Sequence, residues 1–325
     1  MSATTLSFRQ RGTKLLALRE ASIVVVALVL VIYFSVVNAN FLTGPNLQTL
    51  SQFIAPSAII ACGEIMLLIC GEIDLSVGQI FALAPFIMAF TDHAGLGMFV
   101  GFVFAMIVSA LVGLINGAIT VLLKVPSFVT TLGTLFLING FTLTVSKGYP
   151  INTPGGQTMA NIFGAAGYNE FLWAILIVVI MHMVLRHRRW GLHTIAVGGN
   201  LTGATEAGIN AARIKIGNFM LTSMLGGITG ILEAFRIGST DPLAGGTNIM
   251  FLAVASGVIG GTSLAGGSGT IIGGLIGATV LGVLQDGFTL QGINAFTFDM
   301  IIGAAILIAM IANIHVGRLN RGGRS

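Results

Sequence analysis

RHRRWGLHTIAVGGNLTGATEAGINAARIK, Arg186 to Lys215, is a polar and basic stretch set inside an otherwise strongly apolar chain. The 325 residues have a mean hydropathy of +0.96, and only 8% of them are charged. That composition lies outside the range of ordinary soluble domains and places the chain in a membrane. A protein with so little polar surface elsewhere meets something outside the bilayer through this insert.

Working outward from the insert, the hydropathy divides into ten segments: 21–37, 48–70, 75–91, 98–123, 128–145, 171–185, 216–236, 248–262, 268–289 and 297–316. About twenty apolar residues cross the hydrocarbon core as a helix, so the expected fold is all-α: a polytopic membrane protein of about ten transmembrane helices. A β-barrel would show short alternating segments instead. The third, fifth and eighth segments are short or interrupted by glycine and allow a re-entrant path. The first run, about seventeen residues with no clean small-residue cleavage box after it, is expected to remain as a span rather than a signal peptide.

Arg9, Arg11, Lys14 and Arg19 precede the first segment and assign the N-terminus to the cytoplasm. With alternating crossings Lys124, Arg186, Arg188, Arg189, Arg213, Lys215, Arg318, Arg321 and Arg324 also fall inside, leaving Lys147 and Arg236 outside. Thirteen of fifteen basic residues on one side favours an even number of spans with both termini cytoplasmic, whereas nine spans would put the C-terminal arginines outside. The net charge of +4 thus reports orientation, and no nucleic-acid partner is expected. The expected organisation is a tail over 1–20, a transmembrane domain over 21–316 that includes the 186–215 insert, and a tail over 317–325. The outer loops are short apart from Lys147 to Tyr168, whose KGYPINTPGG stretch, 147–156, reads as turns.

Glu64 sits inside the second segment, where an acid is costly and faces protein, water or a solute pathway. GEIDLSVG, 71–78, joins the second and third segments; Asp74 or Ser76 can accept from the free amides of the next helix, or contact solute. In GGTSLAGGSGTIIGGLIGATVLG, 260–282, Gly269, Gly273 and Gly277 recur at a spacing of four, a face on which helices approach closely. No glycine run is followed by the Lys-Ser/Thr of a phosphate-binding loop, so ATP-driven work by that route requires a separate motor. Asp286, Asp299, Glu233 and Asp241 fall near outer ends, where hydration or partner docking accounts for them. Cys62 and Cys70 read as core residues, and His182, His187 and His193 lack a metal-ligand spacing.

Within the insert, Trp190 suits the membrane interface. Ala196 to Ile216 reads as a small-residue turn and a short amphipathic helix, with Thr202 or Asn200 as cap, Glu206 near its start and Gly208 ending it. Ala204, Ala207 and Ile209 are small or branched residues able to fill a shallow groove. Packing against lipid and docking to a cytosolic protein both remain open.

GEIDLSVG (71–78), VPSFVTTLGTLFLINGFTL (125–143), AVGGNLTGATEAGINAARIKI (196–216) and GGTSLAGGSGTIIGGLIGA (260–278), in this order, resemble the permease subunit of bacterial ABC importers for monosaccharides. That family contains the ribose, xylose and arabinose permeases, and the resemblance covers the chain from about residue 20. It implies no enzyme activity and no cofactor on this chain, with ATP and Mg used by a partner. The implied partners are a cytosolic ABC ATPase, a periplasmic or extracellular sugar-binding protein and a second permease subunit, the same or a related chain, in the plasma (inner) membrane. Gly198, Gly199, Asn200, Ala204, Glu206, Ala207, Gly208, Ile209 and Asn210 match the family's ATPase coupling segment. Glu64, Asp74, Ser76 and Asn248 are candidates for the pathway or for structural polar roles. The family usually reads GGIDLSVG where this chain has Glu72, and relatives often carry tyrosine and glutamate where it has Thr247, Asn248 and Ile249. A proton-coupled secondary transporter of a small polar solute is the alternative, resting on Glu64.

Overall fold

The computed structural model describes residues 19–294 together with 297, 300, 301, 303, 304 and 307. The tenth segment lies largely outside these residues, as do Asp299 and the tails at 1–18 and 308–325. The helices are α1 (Arg19–Val37), α2 (Gly44–Ile69), α3 (Val77–Thr91), α4 (Met98–Leu122), α5 (Ser127–Ser146) and the short α6 (Gly156–Ala160). They continue with α7 (Asn169–His187), α8 (Arg189–Gly199), α9 (Leu201–Glu206), α10 (Ala211–Ile237), α11 (Gly246–Ile259) and α12 (Ile271–Leu290). Two strand pieces, β1 (Ile151–Asn152) and β2 (Ser239–Thr240), pair antiparallel, so the 147–168 loop holds more order than turns alone.

Among the described residues seven helices are long and apolar enough to cross a membrane, and Ala21–Val37 and Gly246–Ile259 are shorter apolar helices. Of the most apolar window of α2, 89% is buried, against 28% for each of α4, α5 and α7. Helix α2 is therefore the central post, while α4, α5 and α7 turn apolar faces outward, as the bilayer permits. Helix α10 packs on α2, α3 and α4, and α12 packs on α1, α2 and α11.

The contacts also fix direction. Phe34 of α1 meets Gly287 of α12, Gly63 of α2 meets Thr222 of α10, and Gly117 of α4 meets Ile216. From these pairings successive long elements run end to end in alternation, with Lys124, Arg186, Arg188, Arg189, Arg213 and Lys215 at one end, called the inner end below.

The third and eighth segments differ from simple helical spans. Asp74 lies by Ser223, Val77 by Gly226 and Phe81 by Gly230, so α3 begins only at mid-length of α10. Helix α11 begins at the same level: a Cβ on Gly78 would lie 1.8 Å from the carbonyl oxygen of Gly246. Each of these crossings is half irregular and half helical, with 70–76 rising from the inner end and 238–245 descending from the outer end. Hydropathy saw two spans because the short helices are themselves apolar runs, whereas the stretches that complete the crossings are polar, with Glu72, Asp74 and Ser76 in one and Ser239, Thr240 and Asp241 in the other. Irregular backbone at this depth survives only when covered by protein or lining a cavity.

Candidate functional site

At the inner end the expected single amphipathic helix is three pieces. Helix α8 ends at Gly199, α9 occupies Leu201–Glu206, and α10 already starts at Ala211, so Arg213 and Lys215 belong to it. Asn200, not Thr202, caps α9: its Oδ1 accepts from the Gly203 N–H at 2.9 Å. Asn210 caps α10 likewise, accepting from Arg213 N–H at 2.9 Å, and each such cap is worth about 0.5–2 kcal/mol. Gly208 has φ +81°, a backbone region that other residues enter at a cost, and it stops α9.

The tip is divided by burial. Gly199, Asn200, Glu206, Ala207, Gly208 and Asn210 are exposed, and Ile209 is half-buried. Ala204 is buried with Cys70, Val197 and Ile214, so it faces its own protein and is not available to fill a partner's groove. Trp190 Nε1 donates to Asn218 Oδ1 at 2.8 Å, and the Asn218 amide reaches Thr194 Oγ1 at 3.2 Å and Met66 O at 3.3 Å. These bonds fasten α8 to α10 and α2.

Three stretches far apart in sequence meet here. A Cβ on Gly198 would lie 1.6 Å from the carbonyl oxygen of Ile69, and that same oxygen accepts from Gly267 N–H at 2.8 Å. The 71–78, 196–210 and 260–270 stretches thus share one junction around the end of α2. The expected glycine face is shifted in part. Gly273 and Gly277 do let α12 touch α11, their Cβ positions falling 2.2 Å from Gly260 O and 2.1 Å from Ser256 O. Gly269 precedes the helix, because Thr270 caps it by accepting from Gly273 N–H at 3.0 Å; Gly269 packs on Thr262 instead.

Above the junction lies a buried polar chain. Asp74 Oδ1 accepts from Ser76 Oγ at 2.6 Å and from Ser76 N–H at 2.9 Å, while Ser223 Oγ donates to Asp74 Oδ2 at 3.4 Å. Asn116 Nδ2 donates to Ser76 Oγ at 2.9 Å, and Thr134 Oγ1 donates to Asn116 Oδ1 at 2.6 Å. The backbone N–H of Asp74 points to Glu64 Oε2 at 3.5 Å, and Glu64 Oε1 has no hydrogen-bond partner among the described residues. Glu64, Asp74 and Ser76 are therefore neighbours. Asn248 is not among them: it is exposed in the first turn of α11.

The outer end holds groups that spacing did not reveal. Arg236 pairs with Glu233 through both Nη2 and Nε, the latter at 2.8 Å, and its Nε lies 3.2 Å from Glu170 Oε2. Glu170 is 1% exposed. Asp286 is 2% exposed and accepts from Asn46 Nδ2 at 2.6 Å, so hydration does not account for it. Asp241 is exposed, in line with a hydrated position.

Comparison with known proteins gives these features a family. Residues 46–310 match the family described as "Branched-chain amino acid transport system / permease component". The chain is 35% identical over 310 residues to the xylose/arabinose import permease protein XylH of Sulfolobus acidocaldarius, covering 92% of this chain and 86% of that one. It is 34% identical over 318 residues to the ribose import permease protein RbsC of Escherichia coli K12, covering 96% and 98%. Against RbsC of Bacillus subtilis the identity is 33% over 287 residues, covering 87% and 89%. No solved structure matches. The alternating apolar helices, the glycine-tight inner junction and these full-length likenesses have one explanation: the chain is a multi-pass membrane protein, and it belongs to the transport-permease family that includes the ribose and xylose/arabinose import permeases.

Proposed function

We propose that this chain is the transmembrane permease subunit of an ATP-binding-cassette importer that brings a monosaccharide or related polyol into the cytoplasm. A separate cytosolic ATPase, using ATP and Mg, supplies the energy, and a periplasmic or extracellular binding protein delivers the solute. A second permease subunit, the same or a related chain, completes the pathway in the plasma (inner) membrane. The inner end is the cytoplasmic one, given its basic residues.

The observation that carries this reading is the exposed tip of Thr205–Gly208 and Asn210, standing on a junction whose parts all reach into the membrane helices. A motor pulling on α9 moves α8, and through Trp190 and Asn218 it moves α2 and α10. Coupling requires only that the two permease conformations differ in affinity for the motor's nucleotide states; no covalent chemistry falls to this chain.

Reconstitution with its matching binding protein and ATPase should give ATP-dependent uptake of a pentose, hexose or polyol. Crosslinks from Glu206→Cys or Asn210→Cys should reach the ATPase in the active assembly. Uptake that persists without either partner, or an active assembly with no crosslink, contradicts the reading.

A further inference from the structure

The outer half of the fold contains a cavity of about 210 Å³ between α3 and α10, with β2 and the residues after it forming part of its wall. Its wall includes Phe81, Pro85, Gly230, Glu233, Thr240 and Asp241. We propose that this cavity is a subsite for a neutral polyhydroxylated solute, a pentose, a hexose or a polyol of that size, on the outer side of the permease. The proposal rests on the sugar-import reading above and adds the place and the groups.

Four observations converge on it. Thr240 is 1% exposed, and its hydroxyl has no hydrogen-bond partner among the described residues, an unfavourable state that a solute hydroxyl in the cavity relieves. The Glu233 carboxylate is held in place by Arg236, which leaves further lone pairs to accept from solute hydroxyls. Pro85 has no N–H to offer the carbonyl of Phe81 four residues earlier, and the absence of a side chain at Gly230 brings α10 against that carbonyl. The wall also includes part of the descending 238–245 segment, and irregular backbone at depth is where transporters place their solute contacts.

The chemistry selects among solutes. Hydroxyl and carboxylate groups beside the apolar surfaces of Phe81 and Pro85 are the mixture that a sugar, with C–H faces and a hydroxyl rim, requires. Among the described wall residues none is Lys or Arg, and two are acids, which disfavours a phosphate ester or the carboxylate of an amino acid. The volume lies below the roughly 300–1,000 Å³ of sites for drug-sized ligands, so the occupant is small.

The test uses the assembled transporter in lipid nanodiscs, with Ala244→Cys in the cavity wall as a reporter and the neighbouring Leu243→Cys, 73% exposed, as its control. The native Cys62 and Cys70 are buried and give little background. Labelling by a small maleimide is timed with D-ribose, D-xylose, L-arabinose, D-glucose, mannitol or L-leucine present. At least one sugar or polyol should slow labelling at Ala244→Cys but not at Leu243→Cys. Thr240→Val and Glu233→Gln should each raise the half-protecting concentration about tenfold, while Thr240→Ser stays near the parent and so separates a lost hydroxyl from a lost fold. Absence of protection by every sugar and polyol, protection by L-leucine alone, or no shift in either variant overturns the subsite. Uptake by the same assembly is measured in parallel. A sugar imported without protecting overturns the subsite and leaves the import reading intact, and protection without ATP-dependent uptake does the reverse.

Discussion

Lys215 Nζ lies 2.5 Å from Glu72 Oε1, an ion pair that ties the first turns of α10 to the segment rising from the end of α2. The two side chains are 19% and 13% exposed, so water screens the pair only in part. Glu72 stands two residues before Asp74, and Lys215 five after Asn210; the bond therefore connects the polar chain at mid-depth to the exposed tip. Glu72→Lys and Lys215→Glu should each lower thermal stability and uptake, and the double exchange should restore much of both. A double-mutant cycle should return a coupling of about 0.5–3 kcal/mol. Additive losses would mean that the pair is incidental.

Gly198 and Gly199 are neighbours with opposite tolerance. A Cβ at 198 would enter the carbonyl oxygen of Ile69 at 1.6 Å, backbone that cannot turn aside, whereas a Cβ at 199 meets nothing within 4 Å. Gly198→Ala should cost about 1–3 kcal/mol of stability and loosen α8 from α2. Gly199→Ala should change stability by less than about 0.5 kcal/mol. Thermal unfolding of the purified protein separates the two, and equal losses would remove the close contact from the account.

Much of this was legible because hydropathy and caps are local signals. The boundaries of α4 and α5 fall within two residues of the apolar runs, and Asn200 was one of two caps the spacing allowed. The shortness of the third and eighth apolar runs already allowed a re-entrant path, but the depth of α3 and α11 was not legible, since only the contact of Gly78 with Gly246 sets it. The ion cluster of Glu170, Glu233 and Arg236 was hidden for a similar reason: Glu170 is 63 residues before Glu233, and each charge alone reads as a hydrated helix end. Ala204 was misjudged because a short helix gives too few turns to tell its buried side from its open one.

At the tip, Ala207 is the better position for obstructing a docking surface than Gly208. Gly208 has φ +81°, so a side chain there strains the backbone as well as adding bulk, and a loss would have two causes. Ala207 is exposed with φ −76°, which any residue adopts. Ala207→Trp should leave unfolding temperature near the parent while lowering ATP-dependent uptake about tenfold, through weaker binding of the ATPase or hydrolysis without transport. Unchanged uptake would show that the partner does not sit on this face.

Glu64 decides between the importer and a proton-coupled transporter. It is fully buried, Oε2 reaches the Asp74 N–H at 3.5 Å, and Oε1 has no partner among the described residues. A proton-coupled mechanism requires a carboxyl that loses and regains its proton in each cycle, and a neutral amide cannot do this. Glu64→Gln preserves the size of the side chain and an oxygen able to accept from Asp74. If the carboxyl is a packing and positioning group, the variant should keep ATP-dependent uptake within a few-fold of the parent, and an imposed proton gradient should drive neither protein. Abolished uptake in Glu64→Gln, together with gradient-driven uptake by the parent in the absence of ATP, would establish the proton-coupled mechanism and remove the ATPase from the account.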